Sequence, residues 1–214
     1  MEQKNKQLMI FLAGELRCKV NLLATIKMNS FDFYAADGGY LLADQLGIVP
    51  QKVFGDFDSA PRPPRKDILV FPSEKDQTDS ELALDLAKED GYRNIWMIAP
   101  FGGRLDHTIA NLCLLEKANI QKLDLKLYDG ENSAFLLDEG EHTLDSHYQY
   151  ISFFPWKEQA VISLEGFKYP LDHYTLVRET PIAVSNEPAS FAPTVRIHRG
   201  KLLCICVEKH EEEL

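Results

Sequence analysis

Aspartates recur in this chain at short spacings beside glycines. Asp56 and Asp58 flank a single residue in GDFDSA (55–60), and Asp76 and Asp79 lie in KDQTD (75–79). Asp37 precedes a glycine pair in AADGGY (35–40), and Arg104 and Asp106 follow another in GGRLDH (102–107). Two carboxylates about 4 Å apart repel by about 4 kcal/mol at an effective dielectric of 20. Either water screens such a pair in a surface turn, which Gly, Asp and Ser all favour, or a cation holds it together. Carboxylate oxygens suit Mg²⁺, which takes one or two of them together with waters and substrate phosphates. Glycines at helix starts let bare amides approach phosphate oxygens. The planar fork of an arginine matches two phosphate oxygens at once. Together these residue types point to chemistry on a metal-bound polyphosphate.

The elements around them decide between a turn and a site. QLMIFLA, FDFYAA, KVFG, ILVF, NIWMIAP and KLDLKLY read as strands, and CKVNLLATIKM, GYLLADQLG, TDSELALDLAKEDG and DHTIANLCLLEKA as helices between them. The third helix opens on a capping-box pattern, Thr78 with Glu81, ends at Gly91, and shows a stripe of Leu82, Ala83, Leu86 and Ala87. This alternation calls for a parallel sheet covered by helices. Each acidic group then falls just after a strand, and in an open parallel sheet the carboxyl ends of the strands form the ligand crevice. Scattered surface turns would place acids at both ends.

From about residue 140 the rhythm changes. YQYISFFP, QAVISLEG, TVRIHRG and KLLCICVEK are short β-rich runs between Pro, Gly and Asn, which predict a small antiparallel sandwich or barrel. The fold class is therefore α/β + β: a Rossmann-like parallel domain over residues 1–138 and a β-rich domain over 139–214. The chain has 214 residues and a formal net charge of −10, which argues against nucleic acid or an anionic membrane as the main partner. No apolar run reaches the roughly 20 residues of a membrane span, and the N-terminal stretch reads as a first strand rather than a leader. None of the four cysteines forms a C-x-x-C pair. Cys204 and Cys206 share one face of a strand as small core residues. A cytoplasmic location follows as the expectation.

AADGGY, GDFDSA, KDQTDSELAL and GGRLDHTIANL, in this order, resemble the thiamine pyrophosphokinase family. The resemblance continues through YISFFP, GFKYPL, VSNE and a V-x-I-x-x-G-K-L-L run, so it covers nearly the whole chain. It implies Mg²⁺-dependent transfer of the diphosphoryl group of ATP to the hydroxyl of thiamine, giving thiamine diphosphate and AMP. It also implies a homodimer with the active site where the subunits meet, thiamine and ATP as ligands, and no nucleic-acid or membrane partner. Carried over motif by motif, the catalytic set is Asp37, Asp56, Asp58, Asp76, Arg104 and Asp106. Of these, Asp56, Asp58 and Asp76 would hold Mg²⁺. Gly38, Gly39, Asp79, Gly102, Gly103, Arg104 and His107 would line the ATP, and Tyr169, Ser185 and Asn186 would contact the thiamine. The chain departs from the pattern at Ala13-Gly14-Glu15, where relatives often have a second glycine, and at Tyr169, where some carry tryptophan.

Other readings of the same residues stand beside this one. His107 can cap or pack a helix start instead of moving protons, and Ser185-Asn186 is also an ordinary turn sequence. DFDSA resembles the D-x-D strand end of haloacid dehalogenase-type phosphotransferases, with Asp56 as nucleophile. A non-catalytic sensor of a nucleotide or of thiamine is the third class.

Overall fold

Strands that are apolar at nearly every position must be covered on both faces. QLMIF is such a run, and four of its five residues are buried. The computed structural model describes residues 7–57, 60–72 and 76–209. The described residues up to Gly130 form one compact unit and those from Glu131 a second.

In the first unit the elements run β1 (Gln7–Phe11), α1 (Lys19–Met28), β2 (Phe31–Ala36), α2 (Gly39–Gln45), β3 (Lys52–Gly55) and β4 (Ile68–Val70). They continue with α3 (Asp79–Glu89), β5 (Asn94–Ile98), α4 (Leu105–Ile120) and β6 (Asp124–Tyr128). The six strands pair in the order β4-β3-β2-β1-β5-β6, every pair parallel. Alternate side chains of a strand face opposite ways. Met9, Phe11, Phe31, Ala35, Val53 and Ile98 accordingly share a core with Leu22 of α1 and Ala43 of α2. Helix α3 packs on β2 and β3 and against α4, which packs on β6. The stripe of α3 is turned slightly from the sequence expectation: Ala83, Leu84 and Ala87 are buried, whereas Leu82 and Leu86 are half-buried. Its cap forms as read, with the Glu81 N–H donating to Thr78 Oγ1 at 3.2 Å. The Glu81 carboxylate does not complete the box. It takes Lys117 of α4 at 2.9 Å, and Asp85 takes the same ammonium at 2.8 Å, tying the two helices together.

The second unit holds β7 (Asn132–Leu137), β8 (Gly140–Thr143), β9 (Tyr148–Pro155), β10 (Gln159–Glu165), β11 (Leu171–Val177), β12 (Thr194–Arg199) and β13 (Leu202–Glu208). Strand β13 runs antiparallel between β7 and β9. A four-stranded antiparallel sheet has the order β11-β10-β12-β8. One core joins both sets of strands, from Ile151 and Phe153 through Ile162 and Leu164 to Val195, Cys204 and Cys206. The two thiols are fully buried on one face of β13 with their sulfurs 3.7 Å apart, as the alternation predicts. Strands β7, β8 and β11 are additions to the expected set.

Candidate active site

The site of the first unit is assembled from strand ends. Beyond β2, Asp37 takes a left-handed backbone (φ +44) and is buried, and its N–H donates to Phe54 O of β3 at 2.7 Å. Residues other than glycine seldom hold this conformation, which costs about 1–3 kcal/mol and concentrates at functional sites. Beyond β3, Gly55 packs directly on Asp37: a Cβ there would lie 2.9 Å from Asp37 Cα. Asp56 follows, half-exposed, and then Phe57, again left-handed (φ +57) and buried. The Phe57 ring meets Tyr40 edge-on at 6.5 Å, and the Tyr40 hydroxyl donates to Pro61 O at 2.5 Å. Asp37 and Asp56 thus project from neighbouring strand ends, fixed by strained backbone on both. Asp58 lies outside the described residues.

The two glycine pairs differ in what they do. A Cβ on Gly39 would fall 2.0 Å from Phe11 O, so this glycine is required by the close approach of α2 to β1. Gly38 faces Ala13 and Ala60, where a Cβ would be tight at 3.3 Å. Gly102 and Gly103, both left-handed (φ +86 and +65), turn the chain from β5 into α4. Glu15 rests on Gly102, and its N–H donates to Phe101 O at 2.8 Å. The departure from the second-glycine pattern is thereby absorbed, since the β1–α1 and β5–α4 turns lie side by side. A cleft of about 510 Å³ opens between the β1–α1 turn and α2, lined by Ala13, Gly14, Lys19, Gly38, Leu42 and Ala60 among others.

At the start of α4, Arg104 forks onto Asp106: Nε reaches Oδ1 at 3.1 Å and Nη2 reaches Oδ2 at 2.6 Å, with both side chains exposed. These hydrogen bonds hold the Asp106 carboxyl below the usual carboxylate range and raise the guanidinium further. Asp106 also accepts the His107 N–H at 3.0 Å, and His107 is exposed at the helix start. Asp76 is exposed, and Asp79 is the first residue of α3 behind the Thr78 cap.

Two polar residues that the sequence reading passed over set these turns. Asn111, buried on α4, donates from Nδ2 to Pro100 O at 2.7 Å and ties the helix to the turn that carries Arg104. Asp129, 1 % exposed beyond β6, forms an ion pair with Arg17, Nε to Oδ2 at 3.6 Å, and its backbone carbonyl accepts the Arg17 N–H at 2.8 Å. The signal was available in both cases: a polar residue at a position where helix or strand periodicity demands an apolar one.

In the second unit Tyr169 is exposed, and Lys168 Nζ stands 5.7 Å from its ring centroid, held by Glu187 Oε1 at 2.7 Å. Ser185 is exposed and left-handed (φ +55), and its N–H donates to the buried Ser152 Oγ of β9 at 2.9 Å. Asn186 is 3 % exposed, and its carboxamide bonds the backbone of Tyr169.

Among the described residues no group of three or more His, Cys, Asp or Glu side chains is disposed to hold a metal. The donor set of Asp37 and Asp56, two carboxylates with no thiolate or imidazole, fits a hard cation that draws its other ligands from water and phosphate. Among the described residues no helix is long and apolar enough to cross a membrane.

Residues 27–128 match the profile of the thiamin pyrophosphokinase catalytic domain, and residues 141–202 that of the thiamin pyrophosphokinase vitamin B1 binding domain. The chain is 35% identical over 179 residues to the thiamine pyrophosphokinase of Bacillus subtilis (strain 168), covering 79% of this chain and 84% of the relative. Among solved structures, thiamine pyrophosphokinase from Bacillus subtilis superposes with a TM-score of 0.85 at 29% identity, over 96% of this chain and 100% of that one. The thiamin pyrophosphokinase from Geobacillus thermodenitrificans gives 0.82 at 30% identity, over 96% and 99%.

Proposed function

Since the chain belongs to the thiamin pyrophosphokinase family, we propose that it transfers the diphosphoryl group of ATP to the hydroxyl of thiamine, releasing AMP. The observation that carries this reading is the carboxyl edge of the parallel sheet, where Asp37, itself left-handed, and Asp56, which precedes the left-handed Phe57, stand on adjacent strand ends. That edge lies in the stretch that matches the catalytic profile, and Tyr169 with the Ser185-Asn186 turn lies in the stretch that matches the vitamin B1 profile.

In the reaction the thiamine hydroxyl oxygen forms a bond to the β-phosphorus of ATP. The bond from that phosphorus to the oxygen bridging to the α-phosphorus breaks, its electron pair leaves with AMP, and the hydroxyl proton passes to solvent or a carboxylate. Such transfers ask the protein mainly for alignment and charge neutralisation. Asp56, Asp58 and Asp76, with Asp37 beside them, would hold Mg²⁺, which supplies charge neutralisation on the phosphates. Arg104 presents a planar fork to phosphate oxygens, and Asp106 keeps that fork in one orientation until they arrive. Gly38, Gly102 and Gly103 leave backbone free of side chains along the nucleotide, with Asp79 and His107 at its flanks. The exposed Tyr169 ring offers a face to the cationic heterocycle of thiamine. The reading includes a homodimer with its active site where the subunits meet.

The test is stoichiometric. Incubated with ATP, Mg²⁺ and thiamine, the protein is expected to form AMP and thiamine diphosphate in equal amounts, and a chelator should stop both. ADP as the nucleotide product, or tight binding of both ligands with no AMP, would overturn the reading.

A further inference from the structure

Asn186 uses its backbone and its side chain on two different chain segments. Its backbone exchanges both hydrogen bonds with Ile151 of β9, at 2.8 and 3.0 Å. Its side chain turns the other way: Nδ2 donates to Tyr169 O at 2.8 Å, and Oδ1 accepts the Tyr169 N–H at 3.1 Å and the Glu187 N–H at 3.0 Å. Residues 167–169 run antiparallel to 186–188, with Phe167 bridged to Pro188 and the Lys168 N–H donating to Glu187 O at 2.9 Å. One step further along, the backbone of Asn186 is committed to β9, and its carboxamide completes the ladder as a peptide group would.

We propose that Asn186 is a positioning residue for thiamine: it clamps the backbone of Tyr169 and so fixes where the ring is presented, without touching the ligand. The inference rests on the reading of Tyr169 as the thiamine-facing ring. A carboxamide oxygen has two lone pairs, and both are engaged here. The residue is 3 % exposed, whereas Tyr169, which it holds, is 59 % exposed. The clamp needs a donor and an acceptor on one planar group, which only Asn provides at this length. Aspartate keeps the acceptor for the Tyr169 N–H but sets an oxygen against the Tyr169 carbonyl, and alanine leaves both backbone groups without this partner.

The full-length enzyme with N186D, N186A, Y169A and N186A/Y169A tests this by steady-state kinetics in each substrate and by hydrogen exchange at the Tyr169 amide. N186D keeps the volume and both bonds accepted by Oδ1, losing only the donation to Tyr169 O, so it covers the case in which N186A does not fold. Expected are a thiamine KM raised about tenfold in N186D and N186A, an ATP KM within about twofold of wild type, and Tyr169 amide exchange at least about tenfold faster in N186A. In the Y169A background, N186A should add less than about twofold, because its effect runs through the ring. An equal loss in both backgrounds would mean direct contact with thiamine and overturn the proposal. So would a parallel rise in both KM values, or an unchanged thiamine KM with faster exchange. If Y169A alone leaves the thiamine KM unchanged, the reading of Tyr169 fails, while the exchange measurement still decides whether the clamp exists.

Discussion

The carboxyl edge of the parallel sheet and the Tyr169 turn of the β unit hold the residues of the proposed site by opposite means. In the first unit all six strands point the same way, so their ends bring Asp37, Asp56, Gly102 and Arg104 to one edge without further device. What remains is to aim them, and strained backbone at Asp37 and Phe57 does that. In the second unit the strands alternate in direction, so no edge gathers side chains. Tyr169 stands outside any strand and is held by one buried carboxamide. The candidate site at the parallel edge is spread over several strand ends, whereas the Tyr169 backbone is held by two hydrogen bonds with one carboxamide.

Substitutions on each side sharpen or break that contrast. The largest effect is expected from Asp56→Asn, which removes one of the carboxylates proposed to hold Mg²⁺. Turnover at saturating substrates should fall about 1,000-fold, with an unfolding midpoint near that of wild type. Near-normal turnover would detach this edge from the chemistry. Next comes Gly39→Ala, where the new Cβ meets Phe11 O at 2.0 Å. Denaturant unfolding should show a loss of about 3 kcal/mol. Gly47→Ala is the comparison, because Gly47 is left-handed (φ +70) with nothing within 4 Å of a Cβ, and it should lose about 1 kcal/mol. Equal losses would show that α2 adjusts freely on β1. A smaller effect follows from Tyr169→Ala, which should raise the thiamine KM about tenfold and leave that for ATP within about twofold.

The smallest effect concerns pH. Arg104 depresses the Asp106 pKa below its ordinary value. The pair therefore contributes fully above the ordinary carboxylate range and is lost only as pH falls through the lowered folded value. The rate profile between about pH 5 and 8 should carry no inflection from Asp106. Asp106→Asn should leave the shape of the profile over that range unchanged, as a pH–rate series would show. An inflection that disappears in the variant would mean that Asp106 moves a proton in the reaction.

Much of this contrast is legible in the sequence, and the illegible parts have physical causes. FDFYAA, KVFG and YQYISFFP are strands over the residues expected, because continuous apolar runs bounded by turn residues have few other solutions. Of the three strands that were missed, β7 (NSAFLL) was readable, with Ser133, Ala134 and Leu137 buried, whereas β8 and β11 carry little pattern. Strand β8 (GEHT) has no fully buried residue, and β11 (LDHYTLV) buries only Leu176. Both are held at the sheet's edges mainly by backbone pairing. The acids at the carboxyl edge were readable because strand order alone puts them there. The left-handed backbone of Asp37 and Phe57 was not, since neither residue type announces it. Asn186 reads as a turn former in SNEP, and nothing local tells that its carboxamide pairs with a backbone 17 residues earlier.

The division of labour between the two regions is tested most directly by calorimetric titration of Mg-ATP and of thiamine, each alone, into Asp56→Asn and Tyr169→Ala. The account predicts a crossed result: Asp56→Asn weakens Mg-ATP and keeps wild-type affinity for thiamine, and Tyr169→Ala does the reverse. If both variants weaken the same ligand, or each weakens both alike, the two regions do not divide the substrates between them.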